Sequence, residues 1–527
     1  MSVDPPTEKA RMTPSVPGTA WKVSQMRHRA PAPPDGNAVA DMLAGRTDHE
    51  IADARGLPLA TVRGIRSYYD LLASVPRVCD GTACHFEGGA RLAQNLRSWE
   101  RSEPLGAVRC LGHCYAAPAF QTGEQVFARP PGETPAAWLD DWGEGVSPAP
   151  DLRPVPRRSL AESPVVLRHL IPGPAPLAWD EYELPDAEAI LRSLEAARLR
   201  GRGGASYPTA AKWRAARDTP ADQRFVVANG DEGDPGSYVD RLLLEEDPHA
   251  VLAGMLACAR VIGARHGVVY VRGEYPLARA RMGAAIGAAR EAGFLGADFD
   301  VEVIAGAGSY VCGEETALLR SIEGLRGEPS PKPPYPAQSG LFGQPTVVQN
   351  VETLALVPWV IRHSRPVGVK AMSLSGAVAR PGVVEVPLGM PLRRVLHQAG
   401  GGPPEGRGWR MALIGGPMGC VLPEHRFDTP LSYEALPGLG HGGVVVLDES
   451  VTPRQLAEHL FEFARAESCG TCTPCRVGTA RLAGIRDAAA MRRLLETLEI
   501  GSLCGFGQGV PRPIRDLLAH FGDEVFA

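Results

Sequence analysis

The sequence lacks a strong excess of charge and any long apolar run. Its 55 Lys and Arg residues nearly balance 60 Asp and Glu residues, the net charge is −5, and no dense basic stretch occurs. This balance argues against nucleic acid or an anionic membrane as a partner. No apolar stretch reaches the roughly 18 residues of a membrane span, and the first residues lack the apolar core of a signal peptide. We therefore expect a cytoplasmic protein with no direct membrane insertion.

The cysteines do not form the pattern of a disulfide framework. Their total of 11 is odd, eight of them fall into two tight groups, and Cys258, Cys312 and Cys420 stand alone. Disulfide frameworks belong to small secreted chains, whereas clustered cysteines in a large intracellular protein more often hold metal or carry out redox chemistry. The grouping therefore predicts two metal or redox sites.

The length of 527 residues is enough for about three or four domains. Composition and periodicity predict six segments: a Pro-rich flexible leader (1–35), a helical lead-in with a cysteine-bearing domain (36–145), a Pro-rich linker (146–165), a strand–helix domain (166–365), a small α+β module (366–447) and a helical region (448–527). A Gly-Leu-Pro break at 56–58 interrupts the lead-in helices. These segments predict a multidomain α/β protein.

The 166–365 segment alternates strands and helices, which indicates a sheet covered by helices. We predict strands at 224–230, 267–273 and 299–306, and helices at 247–263, 276–291 and from Cys312 onward. The ends of parallel strands are where such folds place ligands.

The C-terminal cysteine group is Cys469, Cys472 and Cys475, spaced C-x₂-C-x₂-C, with Cys504 as a fourth thiol from a later loop. Four thiolates suit an iron–sulfur cluster or zinc. Three ligands spaced by two residues fit one face of a cubane and a remote fourth closes it, whereas zinc sites more often come as paired C-x₂-C units. We therefore predict a [4Fe–4S] cluster here.

The N-terminal group is Cys79-x₄-Cys84 with Cys110-x₃-Cys114. This spacing resembles that of the thioredoxin-like [2Fe–2S] ferredoxins, although the segment between Cys84 and Cys110 is shorter than is usual there. His85 and His113 lie beside these cysteines, but four thiolates already suffice, so we interpret both histidines as bystanders. A zinc site is the alternative.

Three glycine-rich segments lie near predicted strand ends. They are LRGRGGASYPT (199–209), NGDEGDPG (229–236) and GAGSYVCGEETALL (306–319). Clustered glycines let backbone N–H groups approach a phosphate, and Arg202 and Lys212 add positive charge. An amide and carboxylates at 229–236 are suited to a flavin or a ribose, although an acidic turn that satisfies its own backbone is the alternative. Their common position favours one ligand site.

These motifs, together with VVYVRGEYP, KPPYPAQSGLFGQPTVVQNVETL, ESCGTCTPCRVGT and SLCGFG, resemble the NADH-binding flavoprotein subunit of respiratory complex I from about Leu199 to the C-terminus. Residues 36 to about 130 resemble the thioredoxin-like [2Fe–2S] subunit of that complex. The resemblance implies a Rossmann-like domain for FMN and NAD, a β-grasp module that binds soluble ligands, and a C-terminal helical bundle with the [4Fe–4S] cluster.

The fusion of these parts is similar to the diaphorase subunits of soluble NAD-dependent formate dehydrogenases and NAD-reducing hydrogenases. The first family implies a molybdenum- or tungsten-containing formate dehydrogenase catalytic subunit and small iron–sulfur subunits as partners, and we favour it because the front module is compact. Hydrogenase subunits, or complex I itself, are the alternatives. A flavin-free iron–sulfur electron-transfer scaffold is an alternative of another class.

The resemblance also implies site residues. Those expected to line the FMN site are Gly201, Arg202, Gly203, Lys212, Asn229, Asp231, Glu232, Tyr270, Gly273, Glu274 and Asn350. Those expected to contact NAD are Tyr207, Asp234, Lys332 and Tyr335. Tyr207 and Tyr335 stand where the family usually has Phe, which keeps a stacking face, and Asp234 stands where it usually has Glu. Glu274 is the expected catalytic residue, because its charge near the nucleotide would influence product release.

Overall fold

The computed structural model describes residues 38–72, 75–99, 104–143, 149–171, 173 and 184–526. The leader predicted at 1–35 lies outside the described residues, as does the part of the predicted linker at 146–148. Strands within the described ranges form three sheets. None of the helices in these ranges combines the length and apolar character needed to cross a lipid bilayer.

The front of the chain contains three short helices and a small mixed sheet. Its elements are α1 (Ala38–Leu43), α2 (Asp48–Arg55), α3 (Leu59–Arg66), β1 (Arg77–Cys79), α4 (Thr82–Cys84), α5 (Ala90–Trp99), β2 (Gly106–Val108), β3 (Ala119–Thr122), β4 (Gln125–Ala128) and α6 (Pro135–Gly143). The strand order is β2-β1-β3-β4. β1 runs parallel to β2 and antiparallel to β3, and β3 and β4 form a hairpin.

The predicted break in the lead-in separates α2 from α3. Thr47 and Glu50 form a capping box at the start of α2, which satisfies backbone donors there. Gly56 ends α2 with φ of 61°, a left-handed conformation that glycine adopts without steric cost. The buried faces of these helices, including Ile51 and Ile65, share one apolar core with the central sheet described next. The lead-in is therefore packed onto the central domain.

The central domain is a parallel sheet covered by helices. Its elements follow β5 (Arg157–Ser159) and are α7 (Ala187–Ala196), α8 (Thr209–Asp218), β6 (Phe225–Gly230), α9 (Val239–Glu246), α10 (Pro248–Ile262), β7 (His266–Val271), α11 (Pro276–Glu291), β8 (Asp300–Ala305), α12 (Glu315–Ile322), β9 (Thr346–Asn350) and α13 (Val351–His363). The order β8-β7-β6-β9 is parallel throughout. Burial on both faces explains the near-continuous apolar runs of these strands.

The third sheet belongs to the module after the central domain. Its further elements are β10 (Val369–Gly376), β11 (Gly382–Pro387), α14 (Leu392–Gln398), β12 (Trp409–Ile414), β13 (Cys420–Pro423) and β14 (Gly443–Asp448), and the strand order is β13-β12-β14-β10-β11-β5. Strand β5 pairs in parallel with β11, so the segment predicted as a linker contributes an edge strand. The Glu385 carboxylate also accepts hydrogen bonds from the backbone of Val165 (2.6 Å) and Leu167 (2.8 Å), which fixes this segment to the module.

The C-terminal region is helical, with α15 (Pro453–Ala466), α16 (Thr473–Leu482), α17 (Ala488–Gly501), α18 (Gly505–Gly509) and α19 (Pro511–Phe521). Thr452 and Gln455 form a capping box at the start of α15, and Pro453 occupies the first turn. The apolar faces of these helices join the large core that also contains the helices of the central domain. One continuous core therefore holds the C-terminal helices against the central sheet.

Candidate functional site

A cavity of about 480 Å³ opens where the central domain, the module and the C-terminal helices meet. This volume is in the range of small-molecule and cofactor sites. The cavity is lined by residues of five segments: 203–205, 229–240, 310–314 with Asn350, 415–441 and 505–512. The second segment follows the carboxyl end of β6, where parallel α/β sheets bind ligands.

The loop after β6 carries the first polar groups of the cavity wall. The Asn229 side chain donates to the carbonyl of Gly313 (3.0 Å) and accepts from the backbone of Asp231 (3.0 Å). Burial raises the pKa of Asp231 well above its ordinary value, and Arg272 opposes that shift. Its Oδ2 atom is buried without a hydrogen-bond partner among the described residues. A ligand N–H or O–H in the cavity would satisfy this atom, as the FMN prediction requires.

Glu232 also lies on the cavity wall, but its carboxylate is already engaged. It accepts hydrogen bonds from the Ser237 hydroxyl (2.7 Å) and from the backbone N–H groups of Val239 (2.8 Å), Asp240 (3.1 Å) and Arg241 (3.0 Å). These N–H groups belong to the unsatisfied first turn of α9. Glu232 therefore fixes the start of α9 against the loop, and its contribution to a ligand is through position.

Gly203 and Asn350 meet across the cavity wall. Asn350 accepts from the backbone of Thr353 at the start of α13 (3.1 Å) and donates to Asp240 (2.6 Å), so its side chain is held at both ends. A Cβ atom on Gly203 would lie 3.1 Å from the Asn350 Cβ. Only glycine fits here without displacing Asn350, and this keeps the glycine-rich backbone close to the cavity.

Other residues expected at the FMN site lie outside the cavity lining. The Arg202 guanidinium is buried and donates to the carbonyls of Val369 (3.0 Å) and Val367 (3.4 Å). Gly201 lies in the same loop with no close neighbour around its missing Cβ. Tyr270 is fully buried, and its hydroxyl hydrogen-bonds to Ser321 (2.9 Å). The side chains of Arg202 and Tyr270 therefore stabilise the fold around the cavity.

Gly273 and Glu274 lie where the loop after β7 meets the front of the chain. A Cβ on Gly273 would come within 2.6 Å of the Gly306 carbonyl, so two strand-end loops touch at this glycine. Glu274 is buried and pairs with Arg272 (2.7 Å). The structure places Glu274 behind the wall formed by Asp231 and Glu232.

The residues expected to contact NAD occupy two environments. Tyr207 and Tyr335 are 54% and 56% exposed, which leaves aromatic surface free for a planar ligand. Lys332 pairs with Glu314 on the cavity wall, and Lys212 pairs with Glu315, so both lysines meet the start of α12. A nucleotide phosphate at either lysine would have to replace a carboxylate.

Asp234 joins a network that was not predicted. Its carboxylate accepts from the Tyr310 hydroxyl (2.5 Å) and forms an ion pair with His441. Burial opposes the charged form of His441, but Asp234 outweighs it and raises the pKa of this imidazole. Tyr310 lies in one of the three glycine-rich segments, whereas no local signal marks His441, because it lies far along the chain in the module.

The C-terminal cysteines converge beside the same cavity. Cys472 and Cys504 immediately precede α16 and α18, and the backbone N–H of Leu503 donates to the Cys472 sulfur (3.5 Å). Burial raises the pKa of the Cys475 thiol to about 12, and Cys469 is one of the three cysteines whose charge adds to the shift. A bound metal reverses that preference, because metal ligation deprotonates thiols. The residues after Cys504, Gly505 and Phe506, line the cavity.

The N-terminal cysteines form a second, fully buried group. The sulfurs of Cys110 and Cys114 are 3.4 Å apart, and the Cys79 thiol contacts those of Cys84 and Cys110. The Cys110 sulfur accepts a backbone N–H from Gly112 (3.3 Å). Four thiols gathered in this way, with a backbone donor to sulfur, fit the ligand set of an iron–sulfur cluster.

The histidines beside this group make other contacts. His113 Nδ1 donates to the carbonyl of Leu111 (2.9 Å), and His85 Nδ1 lies 2.9 Å from Asp80. These contacts agree with the interpretation that neither histidine is a cluster ligand.

The loop that lines the cavity also touches the N-terminal cysteines. The backbone N–H of Gly236 donates to the Cys114 sulfur (3.3 Å). Arg272 donates to the carbonyls of both Cys110 (2.9 Å) and Glu232 (2.6 Å). The cavity thus has one cysteine group behind the β6 loop and the other beside Phe506.

Four protein-family models match the chain. They are the thioredoxin-like [2Fe-2S] ferredoxin (residues 39–142), the Nuo51 FMN-binding domain (194–359), the SLBB domain (373–421) and the NADH-ubiquinone oxidoreductase-F iron-sulfur binding region (455–527). These matches confirm the predicted multidomain α/β fold and the predicted FMN, [2Fe–2S] and [4Fe–4S] domains. They leave no support for a flavin-free scaffold.

Two relatives are similar over most of their own length. The NADP-reducing hydrogenase protein HndC of Solidesulfovibrio fructosivorans is 43% identical over 62% of this chain and 74% of its own. The NADH-quinone oxidoreductase protein F 2 of Rhizobium meliloti (strain 1021) is 39% identical over 66% of this chain and 90% of its own. A chain of an NAD⁺-reducing [NiFe]-hydrogenase in the air-oxidized state matches with a TM-score of 0.81 and 32% identity over 93% of this chain and 92% of its own.

Proposed function

This chain belongs to the family of the NADH-binding flavoprotein subunits, and on that premise we propose that it is the diaphorase subunit of a soluble NAD-dependent formate dehydrogenase. The observation that carries the diaphorase part is the cavity between the two cysteine groups. Cys114 contacts the loop that forms one wall, and Cys504 immediately precedes residues of another wall. Electrons exchanged with a ligand in this cavity would have an iron–sulfur site close by on either side.

When bound, FMN exchanges a hydride with NAD(H) and single electrons with iron–sulfur clusters, so the cofactors supply the redox chemistry. The protein binds and orients them. We propose that the backbone at Gly203 and Gly204 holds the FMN phosphate, and that Asn229 and the unpartnered Asp231 oxygen hold polar groups of the flavin. Cys469, Cys472, Cys475 and Cys504 would hold the [4Fe–4S] cluster, and Cys79, Cys84, Cys110 and Cys114 the [2Fe–2S] cluster.

We propose that the nucleotide approaches from the side of Tyr207 and Tyr335. Their exposed rings offer apolar faces on which a planar base can stack. Lys332 would pair with a nucleotide phosphate in place of Glu314. Asp234, held by Tyr310 and His441, would accept a hydrogen bond from the nucleotide at the cavity mouth.

We propose that Glu274 influences product release through charge. Its buried carboxylate pairs with Arg272, which donates to the carbonyl of Glu232 on the cavity wall. Glu274→Gln keeps the shape and removes the negative charge, so nucleotide affinity or turnover should change. Unchanged values of both would show that Glu274 serves only to fix Arg272.

Two catalytic partners are in contention. The compact front domain, with its short segment between Cys84 and Cys110, is what supports formate dehydrogenase. The match to an NAD⁺-reducing [NiFe]-hydrogenase chain over 93% of this chain supports a hydrogenase partner as the second candidate. In both cases the catalytic metal would lie on another subunit.

Purification of the complex from its native host through a tag on this chain tests the proposal. Co-purified molybdenum or tungsten with formate-dependent NAD⁺ reduction would support formate dehydrogenase. Nickel with H₂-dependent reduction would replace it with hydrogenase. The isolated chain tests the diaphorase part separately, because that part predicts bound FMN and NADH-dependent ferricyanide reduction whichever partner is found.

A further inference from the structure

A second cavity lies at the junction between the [2Fe–2S] domain and the C-terminal helices. Asp80 and His85 come from the [2Fe–2S] domain on either side of α4, and His459 comes from α15. The cavity has a volume of about 470 Å³, and these three residues line it. It shares no lining residue with the FMN cavity.

The three side chains converge in the manner of a ligand set. One ligand atom from each lies within 4.8 Å of the others. The His85 Nδ1 is 2.9 Å from the Asp80 Oδ1, and the rings of His85 and His459 have centroids 4.4 Å apart. His459 Nε2 lies 3.1 Å from the Thr82 hydroxyl. Two imidazoles and a carboxylate are thus gathered from two domains at one point.

We propose that Asp80, His85 and His459 bind one zinc-type divalent ion that bridges the [2Fe–2S] domain and the C-terminal helical domain. Two His nitrogens and one carboxylate oxygen, with a position left for water, are a common zinc ligand set. Imidazole favours zinc, copper, nickel or iron over magnesium and calcium, which prefer all-oxygen sites. The donor types therefore select the class of ion.

The surroundings leave the site accessible and its charge balanced. The side chains of His85 and Asp80 are 41% and 33% exposed, so an ion can enter from solvent, while His459 is buried. Arg109 pairs with the other Asp80 oxygen (2.7 Å), which leaves Oδ1 for an ion. Because that guanidinium also approaches Glu462 (3.8 Å) and Glu467 (3.6 Å), its positive charge is compensated locally.

Metal binding requires a small rearrangement. Ligands at about 2.1 Å from a tetrahedral ion lie roughly 3.4 Å from one another, so the His85–Asp80 pair must open by about half an ångström and the most distant pair must close by roughly 1.4 Å. The two exposed side chains can make this adjustment while the buried His459 stays in place. The ion would replace hydrogen bonds at the junction with bonds that cross it.

The full chain with its clusters and FMN is titrated with Zn²⁺ by calorimetry, and bound zinc is counted after gel filtration. We expect about one equivalent for the unmodified chain and for the control His425→Gln, which removes an exposed histidine elsewhere. His459→Gln and Asp80→Asn should each weaken binding at least tenfold, the size of effect known for groups that support a metal. Iron and sulfide contents should not change.

X-ray absorption at the zinc edge of the one-equivalent sample completes the test and does not depend on any variant. The proposal predicts nitrogen and oxygen neighbours only. Sulfur neighbours would show that zinc had entered a cysteine site and would overturn the proposal. Failure to bind zinc, or equal affinity in all variants, would show that the three residues form only a hydrogen-bonded domain junction.

Discussion

Gly203→Ala tests whether the glycine-rich loop forms the wall of the FMN site. The added Cβ would lie 3.1 Å from the Cβ and 3.4 Å from the Cγ of Asn350. Asn350 cannot yield easily, because it is bound to Asp240 (2.6 Å) and caps α13. Loss of such a cap costs about 1 kcal/mol, and overpacking costs about 1–3 kcal/mol.

Either response of the structure moves the wall into the cavity or Asn350 out of its cap. A cost of about 1–2 kcal/mol in the FMN-bound state corresponds to roughly 5- to 30-fold weaker FMN binding. The measurement is fluorescence titration of the deflavinated chain with FMN. Gly201→Ala is the matched control in the same loop, because the nearest atom to its Cβ would be 3.8 Å away. Equal FMN affinity in the two variants would refute this reasoning.

Three further outcomes follow from particular contacts. Cys504→Ser should remove the [4Fe–4S] EPR signal and keep the [2Fe–2S] signal, and loss of both would contradict two separate sites. Burial, and next Asp300, raise the pKa of Glu302 to about 8, so its ionisation destabilises the fold as pH rises from about 4.5 to 8. Glu302→Gln should therefore gain Tm over the unmodified chain as pH rises through that window, whereas the exposed Glu291→Gln should not. Because Asp234 raises the pKa of His441, the stability from this pair is present at low pH and is lost as pH rises through that pKa. His441→Gln should then lower Tm more at pH 6 than at pH 9, and an equal loss would exclude the ion pair.

The sequence predicts regular elements well where periodicity is strong. The helices predicted at 247–263 and 276–291 are found at Pro248–Ile262 and Pro276–Glu291, because long apolar patterns specify them. Strand β5 was missed because its short polar stretch in a Pro-rich segment shows no alternation, and its partner β11 lies in a distant part of the chain. Edge pairing of this kind depends on the tertiary fold.

The candidate site divides in the same way. Asn229 and Asp231 follow an apolar strand, so their place at the sheet edge could be predicted. Side-chain direction could not, and Arg202 and Tyr270 turn away from the cavity into buried hydrogen bonds. His441 could not be found from its local sequence, because only the fold brings the module loop to Asp234.

The central claim is that one FMN cavity connects NAD(H) with the iron–sulfur clusters of this chain. The most direct test is EPR of the isolated chain, frozen after anaerobic mixing with NADH, in FMN-loaded and FMN-depleted forms with equal iron content. We predict the signal of the reduced [4Fe–4S] cluster in the loaded form, its absence in the depleted form, and its return when FMN is added back. The same signal in the depleted form would contradict the account.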